Sequence, residues 1–128
     1  MTPSSPKTVT EQIKQVPPAV RPILLAVRRS IRAIAPAASE VAYQGGPPRS
    51  ASFMWKIARY RVNGKNVVGF GTFPRHATLF FYRGRELDEG SGLLQGSGKD
   101  TRFVTLRSAA DAETAAIKRL LSRAFKLD

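Results

Sequence analysis

"FMWKIARYRVNGKNVVGFGTF", residues 53–73, sets two runs of aromatic and β-branched residues on either side of Asn63-Gly64. Asn-Gly between such runs is a strong hairpin signal, because both residues tolerate the positive φ of a type I′ turn. The stretch therefore predicts a strand over 53–62, a two-residue turn and a partner strand over 65–73. Strict alternation would put Trp55, Ile57, Arg59 and Arg61 on one face of the first strand. Met54, Lys56, Ala58, Tyr60 and Val62 would take the other. Each face then mixes apolar and basic groups. Trp55 reads as core, with the basic side chains snorkelling outward.

Working outward, Pro74 makes a corner after the hairpin. "HATLFFYRG" (76–84) reads as a third strand of the same meander and "RFVTLR" (102–107) as a fourth. Upstream, "EVAYQ" (40–44) reads as a short strand, separated from the hairpin by the turn-rich loop "GGPPRSAS".

Helices flank this β region. Val20, Leu24, Val27, Ile31 and Ile34 recur at spacings of three and four, so 19–35 is one amphipathic helix. Pro22 falls in its first turn, where a missing N–H costs nothing, and Pro36 ends it. "TVTE" (8–11) fits a capping box opening a shorter helix to about Val16, which Pro17-Pro18 breaks. At the other end, Ser108 and Asp111 are caps for a helix running to about Leu127, with Ile117, Leu120, Leu121 and Ala124 as its buried stripe. Residues 1–7 are Pro/Ser-rich and read as loose; 8–128 reads as one domain. The expected fold is α+β: N-terminal helices, a central antiparallel meander sheet, and a C-terminal helix packed on that sheet.

Composition narrows the chemistry. The chain has 128 residues, 42% hydrophobic and 23% charged, enough for one core. It has no cysteine, which removes disulfides, thiolate metal sites and cysteine nucleophiles together. No apolar run approaches the ~18 residues of a membrane span, and the first residues lack the apolar core of a signal peptide. A cytoplasmic location is expected. The net charge is +12. Between Glu40 and Glu86 no acidic residue occurs, while eight lysines and arginines do. Such a field attracts anionic ligands or polyanions.

Residues 83–101 show neither helix nor strand period, and long loops in compact domains are commonly functional. They include "GLLQGSGKD" (92–100), which nearly spells a P-loop. Counting back from Gly98-Lys99, the first glycine should stand where Leu93 is, and Asp100 occupies the place of the magnesium-holding hydroxyl. A P-loop also joins a parallel strand to a helix, whereas this segment precedes a strand. Nucleotide hydrolysis is rejected. Gly90, Gly92, Gly96 and Gly98 can still shape a loop around a ligand, and Lys99 and Arg102 can grip a carboxylate or phosphate.

Other chemistry is sparse. His76, the sole histidine, sits at the corner after Pro74-Arg75 and can shuttle a proton or donate to a ligand. Tyr43 and Tyr82 offer hydroxyls. "EGSGL" (89–93) has the spacing of a nucleophile elbow but not its strand–turn–helix setting. No paired carboxylates, metal-ligand spacing or dinucleotide fingerprint are found, so no enzyme activity and no cofactor are expected.

The order of "VPPAVRPILLAVRRSIRAIAP", "EVAYQGGPP", "VVGFGTFPRHATLFF" and "LLQGSGKDTRFVTL", followed by a closing helix, resembles the YdhG-like bacterial family of unknown function, across roughly Val9 to Phe125. Some members are called frataxin-like iron chaperones. The resemblance implies a helix pair, an antiparallel sheet and a terminal helix. It also implies recurrent polar and glycine positions at Tyr43, Gly46, Pro47, His76, Gly98, Lys99 and Arg102, lining one cleft between the sheet and the long loop. Iron delivery needs exposed carboxylates. Here Glu86, Asp88 and Glu89 form the only tight acidic group, beside Arg83 and Arg85.

The leading expectation is a non-catalytic domain that binds an anionic small molecule or acidic partner surface through Tyr43, His76, Lys99 and Arg102. The first alternative is weak nucleic-acid binding through Arg49, Lys56, Arg59, Arg61 and Lys65. The second is an iron chaperone. A homodimer is compatible with a sheet open on one face.

Overall fold

The computed structural model describes residues 6–88 and 92–127. Two helices come first, α1 (Val9–Gln15) and α2 (Arg21–Ile34). The Thr8 hydroxyl caps α1 by accepting from the Glu11 amide at 3.1 Å. Five strands follow, interrupted once by a helical turn: β1 (Ser39–Ala42), β2 (Trp55–Val62), β3 (Lys65–Thr72), β4 (Ala77–Phe81), α3 (Gly84–Leu87) and β5 (Arg102–Leu106). The chain closes with α4 (Ala109–Ala112) and α5 (Ala115–Lys126). The strands form one antiparallel sheet in chain order. Asn63 and Gly64 take φ of 52° and 76°, as the hairpin signal requires. The α+β architecture is as expected. No helix of the described residues is long and apolar enough to cross a membrane.

One core lies between the helices and one face of the sheet. It joins Leu24, Val27 and Ile31 of α2 and Ile117 and Leu121 of α5 to Phe70, Leu79, Phe81 and Val104 of the strands. Trp55 is core, as expected, at 6% exposure.

Three local expectations need correction. Alternation in β2 is not strict. Its pairing with β3 runs from Lys56↔Gly71 to Ala58↔Phe70, so Ile57 is the extra residue of a β-bulge. The bulge shifts the phase by one. Ala58 and Tyr60 turn into the core, and Lys56 shares the outer face with Arg59 rather than with Tyr60. Secondly, residues 83–101 are not structureless. They hold α3 and a bridge in which Gln95 and Phe103 exchange both backbone hydrogen bonds, at 2.7 and 2.9 Å. Gly90 and Glu89 lie outside the described residues, as does most of the loose terminus expected over 1–7.

Thirdly, the C-terminal helix is two helices. Ser108 does cap, accepting from the Asp111 amide at 3.2 Å, and the Asp111 carboxylate accepts from the Arg107 amide at 2.9 Å. The segment stops after one turn. Thr114 is extended, with ψ at 153°, and its hydroxyl caps α5 by accepting from the Ile117 amide. The break lets Ala112, fully buried with its carbonyl accepting from Ser30, and the Ile117–Leu121 stripe both reach the core.

Candidate ligand site on the open face of the sheet

The face of the sheet away from the helices carries two cross-strand rows. One runs Lys56–Gly71–Thr78–Thr105 and the other Arg59–Gly69–Phe80–Phe103, from β2 to β5. Both rows pass through a glycine on β3, so β3 contributes no side chain to either row. A Cβ at Gly69 would overlap the Phe80 ring, and one at Gly71 would come 2.8 Å from the Met54 side chain. Phe80 and Met54 therefore lean into the space the glycines leave.

A trough of about 380 Å³ results. Met54, Phe73, Phe80 and Phe103 supply its apolar surface, and Lys56, His76, Thr78, Tyr82, Thr101 and Thr105 its polar groups. Lys56 is the only formally charged side chain among them, and no Asp or Glu of the described residues lines it. Glu40, the nearest acidic residue before the basic stretch, works on the other face, where it accepts from Arg28 and Tyr60.

His76 is fixed by the corner between β3 and β4. The Phe73 amide donates to the His76 carbonyl at 2.8 Å, and the Thr72 hydroxyl reaches both neighbouring carbonyls. Its ring stacks on Phe73, with centroids 4.7 Å apart. Burial, and secondarily the positive Arg107, hold its pKa below the ordinary imidazole value. It is therefore a neutral hydrogen-bonding group at pH 7, not a cation.

Tyr82 closes the other side, edge-on to Phe80 at 5.6 Å. Its hydroxyl bonds to that of Tyr43, the residue that follows β1. Burial and this bond push the Tyr82 pKa upward, so it stays a phenol. The Tyr43 backbone is tied to Gln12 of α1 and to Ile57. Over its ring stand the Lys56 ammonium and the Arg59 guanidinium, 5.7 and 5.2 Å from the centroid.

The four residues expected to form one cleft are thus divided. Tyr43 and His76 belong to the open face. Lys99 is exposed on the loop and is not among the trough's lining residues. Arg102 pairs with Phe81, which puts it on the helix side of the sheet, and its guanidinium donates to the Gly98 and Thr101 carbonyls. Asp100, the P-loop mismatch, faces Arg85 at 3.5 Å. The basic set is divided too. Lys56 and Arg59 lie on the open face, Arg61 donates to the Gly64 carbonyl at the hairpin beside exposed Lys65, and Arg49 stands in the loop before β2. Among the described residues no three His, Cys, Asp or Glu side chains cluster to hold a metal ion. Glu86 is paired with Arg83, and Glu89 lies outside the described residues.

Met54, Phe73, Phe80, Phe103, Thr78, Thr101 and Thr105 are the site residues that sequence reasoning missed. The signal for them was "GFG" at 69–71: glycines two apart in a strand share one face and leave it bare. Set against protein-family models, curated proteins and solved structures, the chain matches none.

Proposed function

We propose that this protein is a binding module that takes an anionic ligand on the open face of its sheet and does no covalent chemistry there. The observation that carries the reading is the trough itself: an aromatic floor with one lysine at its edge and no carboxylate among the described lining residues, in a chain of net charge +12. Burying apolar surface supplies most of the affinity in such a site, and the few polar groups orient the ligand. The ammonium of Lys56 supplies the charge preference, and His76 and the threonine hydroxyls supply hydrogen bonds. On this reading Lys56 and His76, rather than Lys99 and Arg102, are the anion contacts. The resemblance to the YdhG-like family implies an architecture but no ligand.

A thermal-shift screen of phosphorylated metabolites and organic acids tests it. A true ligand at about 100 times its Kd stabilises the fold by about 2.7 kcal/mol. Lys56→Ala, at an exposed position, is expected to keep the unliganded melting temperature and to lose about two-thirds or more of that ligand's shift. A shift unaltered in Lys56→Ala but abolished in Lys99→Ala/Arg102→Ala would return the site to the loop.

Single-stranded nucleic acid is a second reading, favoured by two cations over the Tyr43 ring, whose hydroxyl meets that of half-buried Tyr82. An oligonucleotide in the same screen checks it: binding by this route falls steeply with salt.

A further inference from the structure

The trough distinguishes among anions, and the distinction follows from what does and does not line it. Five of its walls are rings: Phe73, His76, Phe80, Tyr82 and Phe103. They present both kinds of aromatic surface. Phe80 and Tyr82 meet edge to face, while Phe73 and His76 form a flat stack. Flat π-systems pair with such edges and faces beyond what buried area alone gives, and an alkyl chain does not. The charged inventory is as selective. Among the described residues, Lys56 is the only formally charged one in the lining, no arginine lines it, and His76 is held neutral. Arg59 stands beside Lys56 over the Tyr43 ring but is not a lining residue, and one lining cation without an Arg fork suits a single negative charge better than a phosphate dianion. The volume of about 380 Å³ lies near the lower end of small-ligand sites and suits a one- or two-ring body.

From this we infer that the ligand is an aromatic monocarboxylate, its ring seated above Thr78 between Phe80 and the Phe73–His76 stack, its carboxylate on the Lys56 ammonium. The row Lys56–Gly71–Thr78–Thr105 sets the axis. Strands lie about 4.8 Å apart, so Thr78 stands about 10 Å across the sheet from the Lys56 backbone. The Lys56 ammonium stands over the Tyr43 ring, 5.7 Å from its centroid, and the exposed lysine stem swings toward Thr78 to meet a carboxylate on the near edge of the ligand ring. The Thr78 and Thr105 hydroxyls stand along the remaining length. Gly71 adds no side chain of its own to the middle of the row, and the Met54 side chain fills the space beside it as part of the trough's apolar wall.

This inference rests on the open-face reading, and calorimetric titration of the whole chain separates the two. The probes are 2-naphthoate, its uncharged amide, octanoate and inorganic phosphate. The expected result is that 2-naphthoate binds at least about tenfold more tightly than octanoate or the amide, with phosphate silent. Amide shifts on binding should centre on Thr78, Phe80 and Phe103. Lys56→Ala should abolish the preference for naphthoate over its amide while leaving amide binding in place. Octanoate binding as tightly as naphthoate, or phosphate binding alone, overturns the aromatic acid and leaves an anion site. Silence from all four, together with a blank thermal screen, overturns both readings.

Discussion

Glu40 stands between a guanidinium and a phenol. Arg28 grips it with two hydrogen bonds of 2.7 and 2.9 Å, and the Tyr60 hydroxyl donates to the same carboxylate. The Arg28 and Glu40 side chains are only 15% and 17% exposed. Burial by itself would raise the Glu40 pKa, but the hydrogen bonds from Arg28 and Tyr60 outweigh it and hold the carboxyl below its ordinary value. Tyr60 is pushed upward, by burial first and then by Glu40. The group ties β1 and β2 to α2 at one point, so Glu40→Gln should cost about 1.5–3 kcal/mol, the range for charged hydrogen bonds. Because the folded pKa lies below the unfolded one, this stabilisation is complete above about pH 4.5 and disappears as pH falls through the folded pKa. Urea melts of wild type and Glu40→Gln should therefore differ at pH 7 and converge in acid. Curves that stay equally far apart at pH 3 would show that the carboxylate charge is not the stabilising group.

At the scale of elements, Thr114 decides how the chain ends. Its hydroxyl caps α5 and also donates to the Asp111 carbonyl at 3.3 Å. Thr114→Ala should destabilise by about 0.5–2 kcal/mol, and Thr114→Ser by much less, both read from chemical denaturation. Equal losses in the two variants would mean that the methyl group, not the cap, matters. This element also shows what could be read in advance. The apolar stripe 117–124 and the Ser108 cap are visible as residue types at fixed spacing. The interruption is not, because it depends on where Ala112 meets α2. The same divide runs through the sheet. Asn63-Gly64 announces its turn within two residues. The bulge at Ile57 appears only when β2 is laid against β3, and it reverses the faces assigned to Ala58 and Tyr60. The candidate site was legible only in part: Tyr43 and His76 as ligand contacts, Tyr82 as a hydroxyl, and Lys56 only within the nucleic-acid set. Its floor is assembled from β3, β4 and β5 by pairing register, and no local period carries that information. Lys99 and Arg102 looked like a site because glycines surround them; the backbone carbonyls of their own loop turn out to hold Arg102.

For the whole molecule, charge is the dominant long-range term. Twenty-one basic residues against nine acidic ones repel one another in the compact state. The exposed pairs Arg29–Glu113 and Arg85–Asp100 relieve little of it. Raising ionic strength from about 0.01 to about 0.1 M shortens the screening length from about 30 to about 10 Å. The melting temperature should rise by several degrees over that interval in scanning calorimetry, with sodium chloride as the salt. A fall would show that the favourable pairs outweigh the excess positive charge.

The strictly consecutive order of the five strands bears on how the chain reaches this state. Each sheet contact is made with the strand just before or just after in the chain, so no crossover has to wait for a distant segment to arrive. Low sequence separation of this kind speeds folding. The sheet can zip outward from its tightest turn as a succession of short closures, each costing little chain entropy, and the helices need only find a surface that is already laid down.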